Sequence, residues 1–343
     1  MNPTAVRQPT PITFLGTGAV VDCGPGETVL YAGLRAGLNL SYECAGGGCG
    51  TCRAQLVDGT LTSRWEQATG LSDRDRRKGD RVLLCQSIPA GPCGVRAVVD
   101  AGPGPRHRPR RLPGRLAERE MLTADTARFL IDAGEPVAYD PGQFVLLEFA
   151  DGTRRAYSMS RPMPATDPHR LELLIRAKPG GAASAALFDK LRPGDPVLVE
   201  GPYGKAYAQT PAHRPVACLA GGTGLAPILA IAEHLIAEAP RRPIDLYVGA
   251  RRTGDLVLVE RLHALAGRGV RVIAVVEEHT GDNHSLPLRS GLALDHLAVD
   301  LPDLAGHDLY LAGPQPMIDA SLRRLIRAGT APADRVFFDR FIS

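Results

Sequence analysis

Four cysteines constrain this chain more than any other feature. In Tyr42-Glu43-Cys44-Ala45-Gly46-Gly47-Gly48-Cys49-Gly50-Thr51-Cys52, three thiols follow the spacing C-x4-C-x2-C, and Cys85 stands as a distant fourth in Leu83-Leu84-Cys85-Gln86. The spacing is that of the plant-type 2Fe-2S pattern, in which four thiolates hold two irons. Gly46, Gly47, Gly48 and Gly50 let the backbone wrap tightly and turn N–H groups toward sulfur, because glycine tolerates φ > 0 without a Cβ clash. Two other readings stay open on the residues alone. Cys49-Gly50-Thr51-Cys52 could be a redox dithiol, which needs a helix N-terminus after a strand that the glycine-rich approach does not offer. A structural zinc site usually takes two paired knuckles, and Cys85 has no near partner except Cys93, at an unusual spacing. Cys23, Cys93 and Cys218 fall outside the pattern and read as small apolar residues.

At 343 residues the chain has room for two or three domains. With 44% apolar and 22% charged residues it reads as globular, and a net charge of +3 is too small to argue for nucleic acid or a membrane as partner. The N-terminus lacks an apolar core of signal-peptide length, and no run approaches the roughly 18 apolar residues of a membrane span. Seven cysteines, an odd number, fit a reducing compartment better than a disulfide framework. A cytoplasmic protein is the expectation.

Residues 10–100 read as a small mixed β domain. Ile12–Phe14 and Ala19–Val21 form a hairpin, and a helix runs from Val29 to Ala36 with Thr28 as N-cap. Arg53–Val57 is an alternating strand closed by Asp58-Gly59. The charge run Asp73–Lys78 reads as a solvated face. Glycine, proline and arginine then dominate residues 101–113, the composition of a linker. Residues 114–209 look like a closed antiparallel sheet, with strands at Val145–Phe149 and Val197–Glu200. In Leu171, Leu173 and Ile175, alternating with Glu172 and Arg176, the period is that of a half-buried strand. One short helix is expected over Ala182–Leu191. From 210 to 343 strands and helices alternate, which implies a parallel sheet covered on both faces, with ligands beyond the carboxyl ends of its strands.

Two further stretches carry chemistry. Arg155-Ala156-Tyr157-Ser158 offers a guanidinium for pyrophosphate, a flat ring to cover a flavin and a hydroxyl for the flavin edge. Downstream, Gly180, Gly181 and Ser184 lie where Lys178–Ser184 opens a helix, whose free N–H groups favour phosphate. Gly221-Gly222-Thr223-Gly224-Leu225-Ala226-Pro227 stands between strand and helix, where close approach to a dinucleotide phosphate needs residues without side chains, although it is not the G-x-G-x-x-G fingerprint. Pro227 suits a first helical turn. Ala312-Gly313-Pro314-Gln315-Pro316-Met317 repeats the strand, turn and helix-start logic, and each of the two turns also reads as a plain tight αβ connection, the second one more readily.

Over almost its full length the chain resembles the iron–sulfur flavoprotein reductases of bacterial multicomponent oxygenases. The resemblance implies a multidomain α+β and α/β protein: a β-grasp ferredoxin domain, an antiparallel β-barrel FAD domain and a parallel-sheet NAD(P) domain. It implies Cys44, Cys49, Cys52 and Cys85 as cluster ligands and places Tyr157, Ser158 and Ala312 at the reacting centre. Arg155, Gly180, Gly181 and Ser184 fall to FAD. Gly221 to Gly224 and Pro227 fall to the nicotinamide nucleotide, to which strand-end position and the second turn add Arg251, Gly313, Pro314 and Met317, and Phe341 lies in an aromatic tail that some relatives hold near the flavin. An edge strand explains that tail equally well. Where many relatives carry a cysteine before Gly-Pro, this chain has Ala312, which implies slower but not absent turnover. Expected cofactors are the 2Fe-2S cluster, FAD and NADH, with NADPH possible because Arg251 and Arg252 could meet a 2′-phosphate. The expected partner is an oxygenase component or its ferredoxin, and the expected state a monomer. A reductase for a deoxysugar-forming partner, or a non-enzymatic electron carrier, uses the same modules.

Overall fold

The computed structural model describes residues 8–164, 166–208, 213–280 and 286–342. The chain divides into two compact units, meeting between Arg110 and Arg111.

The first unit holds strands β1 (Thr10–Phe14), β2 (Ala19–Cys23), β3 (Arg53–Asp58), β4 (Leu61–Ser63), β5 (Arg81–Leu83), β6 (Ser87–Pro89) and β7 (Cys93–Arg96), with helices α1 (Val29–Arg35) and α2 (Asp73–Lys78). Five strands form one sheet in the order β2-β1-β7-β3-β5, and β1 runs antiparallel to β2 but parallel to β7. This is the expected mixed β-grasp arrangement. Thr28 caps α1, accepting from the Tyr31 N–H at 3.3 Å, and Val29, Leu30 and Leu34 bury its inner side, as do Ile12 and Phe14 of β1. Each such side chain contributes about 1.5–3 kcal/mol when fully buried. The charge run is helix α2, whose Ser72 and Asp75 exchange capping-box hydrogen bonds. Asp75 departs from the solvated reading: it is buried and pairs with Arg53 at 2.9 Å. Of the stretch read as a linker, Ala101 accepts from the Asn39 side chain at 3.1 Å, and a Cβ on Gly104 would lie 2.0 Å from the Gly37 carbonyl oxygen. Strand β8 already begins at Arg110.

The second unit contains two sheets. Strands β8 (Arg110–Met121), β9 (Thr126–Asp132), β10 (Phe144–Glu148), β11 (Arg154–Ser158), β12 (Arg170–Arg176) and β13 (Pro196–Tyr203) follow the order β11-β10-β13-β8-β9-β12. A bridge between Met159 and Leu173 links the two ends, giving a nearly closed antiparallel barrel around Leu116, Phe129, Ile131, Val145, Leu147 and Leu171. The expected helix consists of one α-turn, α3 (Ala182–Ser184), continued as a π-helical segment over Ala185–Lys190. Strand β12 corrects the half-buried expectation, since Glu172 and Leu174 are buried along with Leu171, Leu173 and Ile175. Its second face packs against the following module, where Leu174 joins the core of the parallel sheet.

That sheet consists of β14 (Val216–Gly221), β15 (Ile244–Arg252), β16 (Arg271–Glu278), β17 (Leu288–Ser290), β18 (Asp308–Pro314) and β19 (Val336–Phe341), in the order β17-β16-β15-β14-β18-β19 and parallel throughout. Helices α4 (Leu225–Glu238) and α5 (Val259–Gly267) contribute to the core on one face, and α6 (Ala293–Asp300) and α7 (Gln315–Leu325) to the core on the other. All six residues of β14 are buried, the signature of a central parallel strand. The chain steps outward from β14 to β17 and then returns to the other side of β14 for β18. The switch point, where open α/β sheets bind ligands, therefore lies at the carboxyl ends of β14 and β18. No helix among the described residues is long and apolar enough to cross a membrane.

Candidate functional site

The cysteine loop is closed by strand pairing. Cys52 immediately precedes β3 and Cys85 follows β5 by two residues, and the antiparallel register places Arg53 opposite Leu83. The two sulfurs consequently stand 3.3 Å apart. Cys44 and Cys49 form a second hydrogen-bonded pair. The Cys44 thiol is pushed up, first by that bond and then by burial, while Cys49, bonded to it, is held low. Cys85 is likewise pushed up, first by its bond with Cys52 and then by burial. Among the described residues no three His, Cys, Asp or Glu side chains close around a single ion. Two thiol pairs instead fit a two-iron cluster, which takes four thiolates and would displace the protons the thiols now share.

Donors already point at these sulfurs. The Gly46 N–H reaches Cys44 Sγ at 3.4 Å, the Thr51 N–H reaches Cys49 Sγ at 3.4 Å and Gln86 Nε2 reaches Cys85 Sγ at 3.6 Å. Gly50 has φ +79°, and a Cβ on it would lie 2.6 Å from the Gly70 oxygen. Gly70, absent from any sequence motif, covers the loop and donates to the Gly47 carbonyl at 2.9 Å. No local pattern marked it, because its constraint comes from a segment some twenty residues away.

On the barrel, Arg155 and Tyr157 share one face of β11 by strand alternation, with Arg155 exposed and Tyr157 packed against the barrel core. Burial drives the Tyr157 hydroxyl well above the usual phenol range. Ser184 Oγ accepts from the Lys178 N–H at 2.7 Å, tying the Lys178–Ser184 loop into a tight turn in which Gly180 has φ +70°. A cavity of about 440 Å³ is lined there by Asp125, Lys178, Gly180, Gly181, Ser184 and Phe188. Phe188, Lys178 and the glycine turn beside this open volume fit one end of a dinucleotide such as FAD, and Arg155 and Tyr157 do not line it.

The two nucleotide turns prove to be one structure. A Cβ on Gly224 would lie 2.1 Å from the Ala312 oxygen, one on Gly221 2.6 Å from Met317 Sδ, and one on Gly313 2.9 Å from the Gly221 oxygen. Those glycines allow the ends of β14 and β18 to meet. Gly222, with φ +54°, faces open space and is the one glycine of the turn with room for a ligand. Residues Gly222–Gly224 form a 3-10 turn that runs straight into α4, in whose first turn Pro227 is buried. At the sheet edge Phe341 lies in register with Pro314, so the aromatic tail is the edge strand β19. Arg251 and Arg252 both pair with Glu278, at 3.4 and 3.0 Å.

Ala312 is buried and lies in register with Asp339, and the Asp339 carboxylate accepts from Ser158 Oγ at 2.8 Å. Strand β11 of the barrel is thus joined to the strand beside the Ala312–Pro314 turn. Enclosure by packed atoms pushes the Asp339 carboxyl up to about 6, against the lowering effect of the Ser158 bond, although the residue as a whole keeps some exposed surface. Sequence reasoning passed over Asp339; the only signal was an acid set among the aromatics of Phe337–Phe341.

Three family models match in chain order: the 2Fe-2S iron–sulfur cluster binding domain over residues 12–90, the oxidoreductase FAD-binding domain over 113–207 and the oxidoreductase NAD-binding domain over 218–323. The chain is 42% identical over 329 residues to the ferredoxin–NAD(+) reductase component of the alkene monooxygenase system of Xanthobacter autotrophicus, covering 96% of this chain and 99% of that one. It is 33% identical to the ferredoxin–NAD(P)(+) reductase CarAd of Metapseudomonas resinovorans, covering 93% and 96%. Among solved structures, the ferredoxin reductase in carbazole 1,9a-dioxygenase superposes with a TM-score of 0.86 at 31% identity, covering 97% of this chain and 98% of that one.

Proposed function

The chain belongs to the ferredoxin–NAD(P)(+) reductases built from 2Fe-2S, FAD and NAD modules, and on that premise we propose that it is the reductase component of an oxygenase system. FAD, when bound, would supply the conversion between a two-electron nicotinamide and a one-electron cluster. The observation that carries the reading is the Ser158–Asp339 bond, which joins the flavin strand to the edge of the nucleotide crevice. Within this reading Arg155 and the Gly180–Ser184 turn hold the pyrophosphate, Tyr157 and Ser158 the flavin ring, and Gly222 the nucleotide phosphates. Met317 and Phe341 wall the crevice, and Cys44, Cys49, Cys52 and Cys85 hold the cluster. Purified protein should show flavin and iron–sulfur absorbance bleached by NADH under anaerobic conditions and restored by an oxygenase component or its ferredoxin. An unbleached spectrum discards the proposal.

NADH is the proposed donor. Glu278 is shared by Arg251 and Arg252, so neither guanidinium is fully available to a 2′-phosphate, and its carboxylate suits ribose hydroxyls while repelling a phosphate brought beside it. Glu278→Gln should raise the NADPH to NADH ratio of kcat/KM several-fold; an unchanged ratio removes Glu278 from the selectivity. The free cysteines support a reducing, cytoplasmic setting, and the proposed monomer is checked by gel filtration.

A further inference from the structure

The buried Glu172 of β12 leads to a contact outside the cofactor motifs. Its carboxylate accepts from Ser160 Oγ at 2.6 Å, Arg161 Nε at 2.7 Å and Arg261 Nη1 at 2.9 Å. Arg261 comes from α5 of the nucleotide module and is itself only 13% exposed in its side chain. The rest of its fork is also committed: Nε donates to Glu233 Oε1 at 2.7 Å, and Nη2 to the Ser160 carbonyl at 2.6 Å. One guanidinium therefore grips three elements. Ser160 lies two residues beyond Ser158 on the flavin strand, Glu172 lies on the barrel strand beneath it, and Glu233 lies on α4, the helix that grows from the Gly222–Gly224 turn.

We propose that Arg261 is the positioning residue that sets the nucleotide crevice against the flavin strand, acting through Ser160 and Glu172 on one side and Glu233 on the other. The inference rests on the reductase reading above. Arginine suits this task, because its planar fork fixes direction as well as charge, whereas a lysine offers a single flexible ammonium. The Ser158–Asp339 bond spans the same pair of modules at β19, so Arg261 supplies a second, separate anchor at α5. The two polar anchors add directional contacts at separate points to the apolar packing of Leu174 against the parallel sheet, and together they fix the angle of one module on the other. A misplacement of the order of 1 Å between reacting groups can cost about a hundredfold in rate.

The test uses the holoenzyme carrying Arg261→Met, with Arg261→Lys as the milder partner. Stopped-flow reduction of the flavin by NADH should slow at least tenfold in Arg261→Met at saturating NADH, with KM changed less than threefold and flavin content retained. The long-wavelength absorbance produced when NAD+ stacks on the reduced flavin should weaken in parallel. Arg261→Lys should recover part of both. A rate per bound flavin and a stacking band equal to those of the parent overturn the proposal, even if the melting temperature falls, since that pattern describes a purely structural ion pair. Should Arg261→Met not fold, Arg261→Lys decides: a slower rate at unchanged melting temperature supports positioning, and an unchanged rate ends it. If NADH fails to reduce the flavin of the parent protein, the reductase reading itself falls, which is a distinguishable outcome.

Discussion

The cysteine loop and the nucleotide crevice are both rich in glycine, and their glycines answer to different neighbours. Around Cys44–Cys52, Gly47 and Gly50 take positive φ, +88° and +79°, so that a short loop can wrap where its thiols converge. At the crevice, Gly221 and Gly224 have negative φ and are constrained instead by the carboxyl end of β18 and by Met317 of α7, which leave no room for a Cβ. Wrapping is a demand of the local chain, whereas close approach is a demand of a strand nearly a hundred residues away. Three ligands of the first region and their glycines are therefore legible in one short stretch, which Gly70 and Cys85 complete from farther along the chain, whereas the second region exists only once the parallel sheet has formed.

The largest expected effect separates the two regions outright. Cys85→Ala should abolish the iron–sulfur absorbance and the reduction of the electron acceptor, while flavin reduction by NADH continues at the parental rate. Loss of flavin reduction as well would contradict the independence of the two regions. The converse is Gly224→Ala, whose Cβ would meet the Ala312 carbonyl. Overpacking of this kind costs about 1–3 kcal/mol of stability, and the backbone shift that relieves it should misplace the nucleotide and slow flavin reduction by NADH about tenfold or more, with the cluster spectrum unchanged. An intact NADH reaction would mean that the close approach of β14 and β18 is dispensable.

Asp339 sharpens the comparison within the crevice. Its carboxyl titrates near 6, above its unfolded value, so the native protein holds a proton that the unfolded chain gives up between about pH 4 and 6. Stability from this group is present below that window and is lost as pH rises through 6, amounting to up to about 3 kcal/mol at 1.36 kcal/mol per pKa unit. Thermal unfolding of the flavin-free protein should show the decline between pH 4.5 and 7, and Asp339→Asn should flatten it. An equal slope in both proteins would assign the titration elsewhere.

The smallest effect concerns the rim of the cysteine loop. Of the three glycines at 46–48, Gly47 offers no open rim, because it is buried with positive φ and a Cβ there would press on the Gln86 side chain at 3.0 Å. Gly46 has only the Cys44 carbonyl oxygen near, at 3.5 Å. Gly46→Leu should slow acceptor reduction a few-fold and leave flavin reduction alone, as paired stopped-flow traces would reveal; equal slowing of both would remove the rim from docking.

The legibility of the chain follows the same division. Thr28 as a helix cap and the alternating strand at Arg53 are set by neighbours within a few positions, and each appears in the structure where its pattern predicts. Glu172 reads as solvent-facing because strand alternation carries no information about a second module covering the outer face. Asp339 carries no motif, and only the pairing of β18 with β19 brings it beside Ala312 and Ser158.

By itself, then, the amino-acid order determined the three modules and their succession, and it supplied the residues proposed here for each cofactor site, because spacing, periodicity and glycine placement act over short stretches. The tertiary structure alone decided that Gly70 covers the cysteine loop, that the two glycine turns interlock, and that Arg261 and Asp339 anchor nucleotide module to barrel. Those contacts join residues far apart in the chain, and nothing shorter than the packed fold brings their atoms within hydrogen-bonding reach.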